Sequence, residues 1–238
     1  MQTVCAVPPQ PKSVRRSGWV VSVLGSALLA ASVTTGCVHR VLSSTPVSAD
    51  YQPGNVFRPQ GSLPPELRRV ALLPITVPSH GAELEFGRDT LGPVLRGELA
   101  RRQKFEIILV TAEQLHRWTG RSAWTAEDKL PNDFFEKIRE SVGCDAVLFA
   151  HLTTYHPYPP LALGWRLKLV ETDEPRVLWA IDEEFDASRP EVGQAARRYF
   201  RENAGGTLNP RDPELELLSP MRFGGYVANA VLATLPSR

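Results

Sequence analysis

The chain has few cysteines, and their positions exclude a disulfide framework. Only Cys5, Cys37 and Cys144 occur among its 238 residues. Small folds held together by disulfides carry many more cysteines at short, regular spacings. Paired C-x-x-C motifs, which hold structural zinc, are also missing. We therefore predict no disulfide core and no cysteine metal site, and we expect Cys144 to be a buried, inert thiol in an apolar run.

An excess of basic charge is also missing. Lysine and arginine number 27 against 26 acidic residues, which gives a net charge of +1. A nucleic-acid-binding domain normally shows a clear basic excess, so we predict no nucleic acid partner. Hydrophobic residues make up 42% of the chain, which excludes wholesale disorder and is typical of a globular domain.

Catalytic motifs are absent too. The chain has no G-x-S-x-G, no phosphate-binding loop, no dinucleotide fingerprint and no H-E-x-x-H. His151, His156 and the acidic run Asp182, Glu183 and Glu184 are the residues from which a metal or carboxylate site might be built. Alternation along a strand puts Asp182 and Glu184 on one face, as at an exposed edge. We therefore predict no enzyme activity, no cofactor and no metal.

Residues 1–36 form a segment unlike the rest. Lys12, Arg15 and Arg16 are its charged residues, and a mostly apolar run follows from Trp19 to Val33. This run is short for a membrane-spanning helix, which needs about 20 apolar residues. A basic start followed by a short apolar run is typical of a signal peptide. Its removal leaves a net charge of −2. The Arg15–Arg16 pair leaves both general and twin-arginine export open.

A cysteine follows the apolar run directly, in the stretch "TTGC" that ends at Cys37. This stretch resembles the lipobox of bacterial lipoproteins, in which the cysteine after the cleavage site receives diacylglycerol and a further acyl chain such as palmitate. The resemblance implies a lipid anchor on Cys37. The alternatives are an uncleaved N-terminal anchor and a plain signal peptide with an incidental cysteine. Val38, where an Asp would favour inner-membrane retention in enterobacteria, implies the periplasmic face of the outer membrane.

The remaining chain divides into a linker and one domain. Residues 37–66 are rich in Ser, Pro and Gly without a sustained period, so we predict a lipidated N-terminus and flexible linker. From residue 67 to 238 apolar periodicity predicts the order β-α-β-α-α-β-β-β-α-α. This order predicts an α/β domain with a single mixed β-sheet flanked by helices.

Helix boundaries follow from caps and breakers. We expect the first helix to begin near Asp89, with Pro93 in its first turn. A capping box at Thr111 opens the second helix, which is predicted to end before Gly120, and Gly143 ends the third. Ser188 is predicted to cap a helix through Arg201 whose apolar stripe includes Tyr199. Ser219 and Pro220 are predicted to open the last helix.

The domain resembles a known bacterial pattern. Its first strand reads "VALLPI", a later strand reads "FEIILV", a helix ends in "GCD", and a hairpin carries "VLW". Residues 67–187 are similar to the periplasmic α/β domain shared by curli secretion lipoproteins, lipoprotein activators of penicillin-binding proteins, and the N-terminal domain of the Tol system's β-propeller protein. The resemblance implies a periplasmic lipoprotein.

Taken together, these patterns predict a membrane-anchored, non-enzymatic binding or assembly factor with an envelope protein as partner. The alternatives are an oligomeric component of an outer-membrane secretion system and an envelope hydrolase. The stretch "TYHPYPP" is the candidate partner-binding loop, with Tyr155, His156 and Tyr158, because it is aromatic and held rigid by proline. Trp118 and Trp124 could join Tyr155 and Tyr158 in an aromatic binding surface, but the favoured interpretation is that they are partly buried residues at the edge of the core.

Overall fold

The computed structural model describes residues 51–78, 81–203 and 217–238. These residues belong to one compact unit, Thr45–Arg238, and residues 1–44 lie outside the described part. The predicted signal peptide and Cys37 therefore lie outside the described residues as well.

A single mixed sheet of six strands forms the centre of the fold. The strands lie in the order β1-β6-β5-β4-β2-β3. Strand β2 runs parallel to its neighbours β3 and β4, whereas the pairs β4–β5, β5–β6 and β6–β1 are antiparallel. The strands are β1 (Val56–Phe57), β2 (Arg69–Leu72), β3 (Glu106–Leu109), β4 (Ala146–His156), β5 (Ala162–Glu171) and β6 (Val177–Asp186). The predicted α/β class and mixed sheet are confirmed.

Among the described residues, five helices cover the two faces of this sheet. They are α1 (Ala82–Arg102), α2 (Ala112–Thr119), α3 (Phe134–Val142), α4 (Pro190–Glu202) and α5 (Pro220–Ala233). Helices α1, α4 and α5 bury a large apolar cluster that includes Trp165, Trp179 and Phe185. Helices α2 and α3 cover a smaller cluster around Phe134, which lies 6.0 Å from the ring of Phe149. The sheet therefore has an apolar core on each face, because successive side chains along each strand point to opposite faces and helices cover both faces.

Several predicted helix ends are confirmed in detail. The Thr111 side chain accepts a hydrogen bond from the Gln114 backbone N–H at 3.1 Å, and the Thr111 N–H donates to the Gln114 side chain at 2.9 Å. Gly120 and Gly143 end α2 and α3 with φ angles of 81° and 63°. Glycine enters this left-handed region without the steric cost that a Cβ atom brings.

Helix α1 begins earlier than predicted. It starts at Ala82, after an N-cap at Gly81 that makes no side-chain capping bond. Pro93 lies inside the helix and not in its first turn, which corrects the prediction for Asp89 as the start. Because glycine provides no side-chain oxygen to cap the helix, the sequence carried no capping pattern at the true start.

The start of α4 also differs from the prediction. Ser188 does not cap the helix. Its backbone N–H donates to the Asp186 side chain at 2.7 Å, and the N-cap is Arg189 with Pro190 at the first helical position. The fixed φ of proline suits that position, so Pro190 decides where the helix begins. The buried stripe also differs, because Phe200 is buried where Tyr199 is only half-buried.

The described part of the predicted linker packs against the sheet. Tyr51 Oη donates to Glu183 Oε1 at 2.6 Å, and the backbone N–H groups of Gly54 and Asn55 donate to Glu183 Oε2 at 2.9 and 3.0 Å. The Tyr51 ring lies edge-on to Phe185, with 5.3 Å between centroids. Residues 51–66 thus belong to the folded unit, whereas we had predicted that the fold starts at residue 67.

The last residues of the chain contact the segment that precedes β2. Ser62 and Ser237 form an isolated parallel bridge, and the Leu63 N–H donates to the Ser237 carbonyl at 2.8 Å. Arg238 donates from its guanidinium to the Leu67 carbonyl at 2.8 Å. Leu63 is buried beneath these contacts. Two regions far apart in sequence therefore close one end of the large core.

The hydroxyl of Tyr51 gives a test of this packing at high pH. Burial and the hydrogen bond to the Glu183 carboxylate raise the pKa of Tyr51 from 10.0 to about 12. An unfolded chain loses this proton near pH 10, whereas the folded chain keeps it. The contribution of Tyr51 to stability is therefore complete below pH 10 and is lost as the pH rises towards 12.

We expect the resonance of Tyr51, in protein labelled with ¹³C at the tyrosine Cζ, to titrate near pH 12. The variant Tyr51→Phe assigns the resonance. Its free energy of unfolding should also fall less steeply between pH 10 and pH 12 than that of the original chain. A midpoint for Tyr51 near pH 10 would contradict the contact with Glu183.

Candidate functional site

An apolar groove opens at one end of the sheet, where three elements meet. They are the first turns of α1, the turn between β4 and β5, and the start of α5. The cavity has a volume of about 470 Å³, which lies within the usual range for ligand pockets. Its lining consists of Glu83, Phe86, Thr90, Tyr155, Pro157, Tyr158, Ser219, Pro220 and Met221.

Tyr155 forms the floor of the groove. Only 3% of this residue is exposed, because Tyr155 is the penultimate residue of β4 and packs against α1. Its ring centroid is 6.4 Å from that of Phe86. Burial raises the pKa of the Tyr155 hydroxyl, and the nearby Thr90 side chain opposes this effect. The floor is therefore an aromatic surface with a neutral hydroxyl.

Gly87 allows α1 to approach this floor. A Cβ atom at this position would lie 2.5 Å from Cγ of Tyr155 and 2.8 Å from each Cδ. Real Cβ atoms do not come so close, because the van der Waals radii forbid it. The groove thus depends on the absence of a side chain at one position of α1.

The rim of the groove exposes large apolar side chains. Phe86, Tyr158 and Met221 are 63%, 77% and 57% exposed. They account for three of the six exposed large hydrophobic side chains among the described residues, and Leu218, 55% exposed, precedes the rim at Ser219. Scattered exposed apolar residues are ordinary, whereas a cluster around a cavity marks an interaction site.

The rim is rigid for reasons visible in the sequence. The turn between β4 and β5 contains Pro157 and the Pro159–Pro160 pair, whose peptide bond is cis. The Ser219 side chain accepts a hydrogen bond from the Arg222 N–H, and Pro220 occupies the first helical position of α5. Proline fixes φ and Ser219 caps the helix as predicted. A rigid rim loses little conformational entropy when a ligand binds.

The structure divides the predicted partner-binding loop. Tyr155 and Tyr158 both line the groove, but Tyr155 is a buried strand residue and not part of a protruding loop. His156 is exposed at the end of β4 and does not line the groove. Phe86 and Met221 were not predicted. One sequence feature could have identified them. Each is a large apolar residue in the first turns of a helix, and it lies outside the periodic apolar stripe that faces the core.

The tryptophans lie elsewhere. Trp124 is buried in the smaller cluster, with its ring 5.6 Å from that of Phe134 and its Nε1 donating to Thr119 Oγ1 at 2.8 Å. The Arg121 guanidinium lies 4.1 Å from the centroid of the Trp124 ring. Trp118 is half-buried and packs against the same cluster. The tryptophans and the groove tyrosines therefore do not form one aromatic surface.

The acidic run on β6 is used for pairing between strands. Asp182 and Glu184 share a face, as predicted. Arg166 Nε donates to Asp182 Oδ2 at 2.8 Å, and Thr154 Oγ1 donates to Glu184 Oε2 at 2.6 Å. Glu183 faces the opposite way and binds the segment that begins at Tyr51. These carboxylates thus hold neighbouring strands and the chain before β1 in place.

His151 is also engaged. Its Nδ1 and Thr76 Oγ1 share a hydrogen bond of 2.8 Å. Burial, together with the positive charge of Arg166, lowers the pKa of His151. Within residues 51–78, 81–203 and 217–238, no group of three His, Cys, Asp or Glu side chains is placed to hold a metal ion.

Cys144 is a free thiol two residues before the start of β4. Only 1% of its side chain is exposed, and burial raises its pKa to about 11. A thiol with such a pKa remains protonated at neutral pH and is a weak nucleophile. The expectation of a buried Cys144 is confirmed.

Among the described residues, no helix combines the length and the apolar character that crossing a bilayer requires.

Comparisons with known proteins give structural likenesses only. No family model and no curated protein matches the chain. The PelC dodecamer from Paraburkholderia phytofirmans is 11% identical with a TM-score of 0.40, over 77% of this chain and 99% of that one. Lipoprotein GNA1162 from Neisseria meningitidis is 14% identical with a TM-score of 0.41, over 57% and 96%. The C-terminal domain of LpoB from Escherichia coli is 18% identical with a TM-score of 0.32, over 50% and 82%.

These identities and TM-scores are low, and a shared fold does not by itself imply a shared function.

Proposed function

We propose that this chain is a membrane-anchored, non-enzymatic binding or assembly factor of the bacterial cell envelope, and that it binds a protein partner at the apolar groove. The observation that carries the binding role is the rim of Phe86, Tyr158 and Met221 around a cavity with an aromatic floor. Aromatic residues and methionine are enriched at the centres of protein interfaces.

The anchor in this proposal is a lipid on Cys37, with the domain on the periplasmic face of the outer membrane. Its support comes from the sequence, where a basic start, a short apolar run and the stretch ending in Gly36 and Cys37 follow one another. Val38 supports the outer membrane by the resemblance to sorted lipoproteins.

The non-enzymatic role is supported by how the candidate polar side chains are used. Asp182 and Glu184 pair with neighbouring strands, and His151 pairs with Thr76. A general acid or base must reach a substrate proton from an accessible position. Side chains already bound within the sheet are poorly placed for this, whereas the groove is lined mainly by apolar groups.

Crosslinking in living cells tests the binding role. A photoreactive phenylalanine analogue replaces Tyr158 on the rim or, as a control, Leu109, which is 54% exposed on β3 away from the groove. We expect a defined crosslinked product from position 158 and not from position 109. Adding Met221→Asp should remove this product, because a carboxylate on the rim opposes burial of an apolar partner.

Two outcomes would count against the proposal. The same products from both positions would show that the groove has no special role, and no product from position 158 would leave the groove without a partner. A product that contains only copies of this chain would instead favour the oligomeric secretion component.

A further inference from the structure

Among the described residues, the groove carries one full charge, the carboxylate of Glu83. Glu83 is exposed in the first turn of α1, and it is the only acidic or basic side chain that the described residues contribute to the lining. Among the described residues it forms no ion pair, whereas other carboxylates such as Glu191 on α4 pair with arginine. The negative charge reaches the floor, where it contributes to the raised pKa of Tyr155. Burial remains the larger cause of that shift.

We propose that the groove binds a peptide segment of its protein partner that inserts an aromatic or long aliphatic side chain and carries Lys or Arg beside it. This inference deepens the proposed function and rests on it. The apolar floor and rim complement the inserted side chain, and Glu83 at the opening complements the neighbouring cation. The hydroxyls of Thr90 and Ser219 offer hydrogen bonds to the peptide backbone.

The same charge argues against two other occupants. In a symmetric dimer the same patch contacts itself, so two-fold pairing through the groove would bring two copies of Glu83 together. Like charges across an interface are costly when solvent is excluded. An anionic membrane surface would meet the same repulsion. A cationic segment meets no such cost.

The charge of Glu83 should make a modest contribution to the affinity for a cationic peptide. A charge pair at the rim of an interface contributes about 0.2–1 kcal/mol, and about 1.4 kcal/mol corresponds to a tenfold change in affinity. We therefore expect Glu83→Gln to weaken binding of a cationic peptide by up to about fivefold, and Glu83→Lys, which replaces attraction by repulsion, to weaken it further, by about tenfold.

The chain contains its own reporter for this test. It has two methionines, Met1 and Met221, and Met221 lines the groove. The full chain, purified in mild detergent with ¹³C-labelled methionine methyl groups, therefore gives at most two methyl signals, of which one lies at the site. Met221→Leu identifies that signal.

Three synthetic peptides, acetylated and amidated at their ends, are the probes. They have the sequences Ser-Gly-Lys-Trp-Lys-Gly-Ser, Ser-Gly-Gln-Trp-Gln-Gly-Ser and Ser-Gly-Glu-Trp-Glu-Gly-Ser. We expect the lysine peptide to shift the Met221 signal saturably, the glutamine peptide to bind more weakly, and the glutamate peptide to bind about tenfold more weakly than the lysine peptide. Added salt should reduce these differences.

Glu85→Gln is the matched control, because Glu85 is exposed in the same helical turn but does not line the groove. It should leave the affinity for the lysine peptide unchanged. Equal binding of the three peptides, or equal effects of Glu83→Gln and Glu85→Gln, would overturn the cationic preference. Failure of every peptide to shift Met221 would overturn the peptide chemistry as well.

These failures are separable from failure of the proposed function. If the peptides fail but the crosslink from position 158 persists in cells, the groove binds a partner of different chemistry. Loss of both would remove the binding role itself. Vesicles of anionic lipid, added in place of the peptides, test the membrane alternative, and a shift of the Met221 signal with these vesicles would also overturn the inference.

Discussion

Gly87→Ala is expected to destabilise the folded chain by up to about 2 kcal/mol, although replacing glycine by alanine stabilises most helices. Replacing an interior helical glycine by alanine usually gains about 1 kcal/mol of helix propensity. Here the new Cβ atom would lie 2.5 Å from Tyr155 Cγ. Forcing extra volume into a packed region costs about 1–3 kcal/mol. The steric cost exceeds the gain because the obstacle is the base of a buried ring and not the end of a flexible side chain.

Gly97 provides the control within the same helix. A Cβ atom at Gly97 meets no atom within 4 Å, and this position is exposed. We expect Gly97→Ala to stabilise the chain by about 0.5–1 kcal/mol. Urea denaturation of the two variants side by side measures the difference. Equal effects of the two substitutions would show that α1 does not pack closely on Tyr155.

The same substitution also tests the groove. Displacing the Tyr155 ring changes the floor, so Gly87→Ala should weaken the peptide-induced shift of the Met221 signal. Gly97→Ala should leave this shift unchanged, since Gly97 lies further along α1 and outside the lining.

Cys37→Ala is expected to abolish fatty-acid labelling of the chain completely. In the proposed anchor the thiol of Cys37 is the acceptor of the lipid, and alanine has no nucleophile to replace it. A single acyl chain gives only marginal membrane binding, and several chains on one residue give a stable anchor. The variant should therefore leave the membrane fraction altogether.

Metabolic labelling with a fatty-acid analogue, followed by fractionation, measures both effects. Cys144→Ala is the control, because the buried thiol of Cys144 is inaccessible to an acylating enzyme. Its labelling should equal that of the original chain. A Cys37→Ala variant that still carries label and stays with the membrane would disprove the lipid anchor.

Patterns local in sequence predicted most of the fold. The capping box at Thr111 and the stop at Gly143 are decided by neighbours within one helical turn, so the sequence alone places them. The order of helices and strands from residue 67 onwards follows from apolar periodicity, which reflects the two buried faces of the sheet.

Positions decided by distant contacts were not predictable in this way. The strand β1 has only two residues, and the segment before it is held by the Glu183 carboxylate, more than 120 residues away in sequence. No local period marks such a segment. The groove was predicted only in part, because Tyr158 belongs to one rigid turn whereas Phe86 and Met221 come from two helices that tertiary packing brings together.

The bridge between Ser62 and Ser237 can form only late in the synthesis of the chain. The earlier partner leaves the ribosome about 175 residues before the later one, which at typical elongation rates is a wait on the order of ten seconds or more. Until then Leu63 lacks the backbone partner it has in the finished fold. The last contacts at this end of the core therefore form after translation has passed residue 237, and contacts this distant in sequence are slow to form. The emerging chain is open at this end of the core throughout that interval.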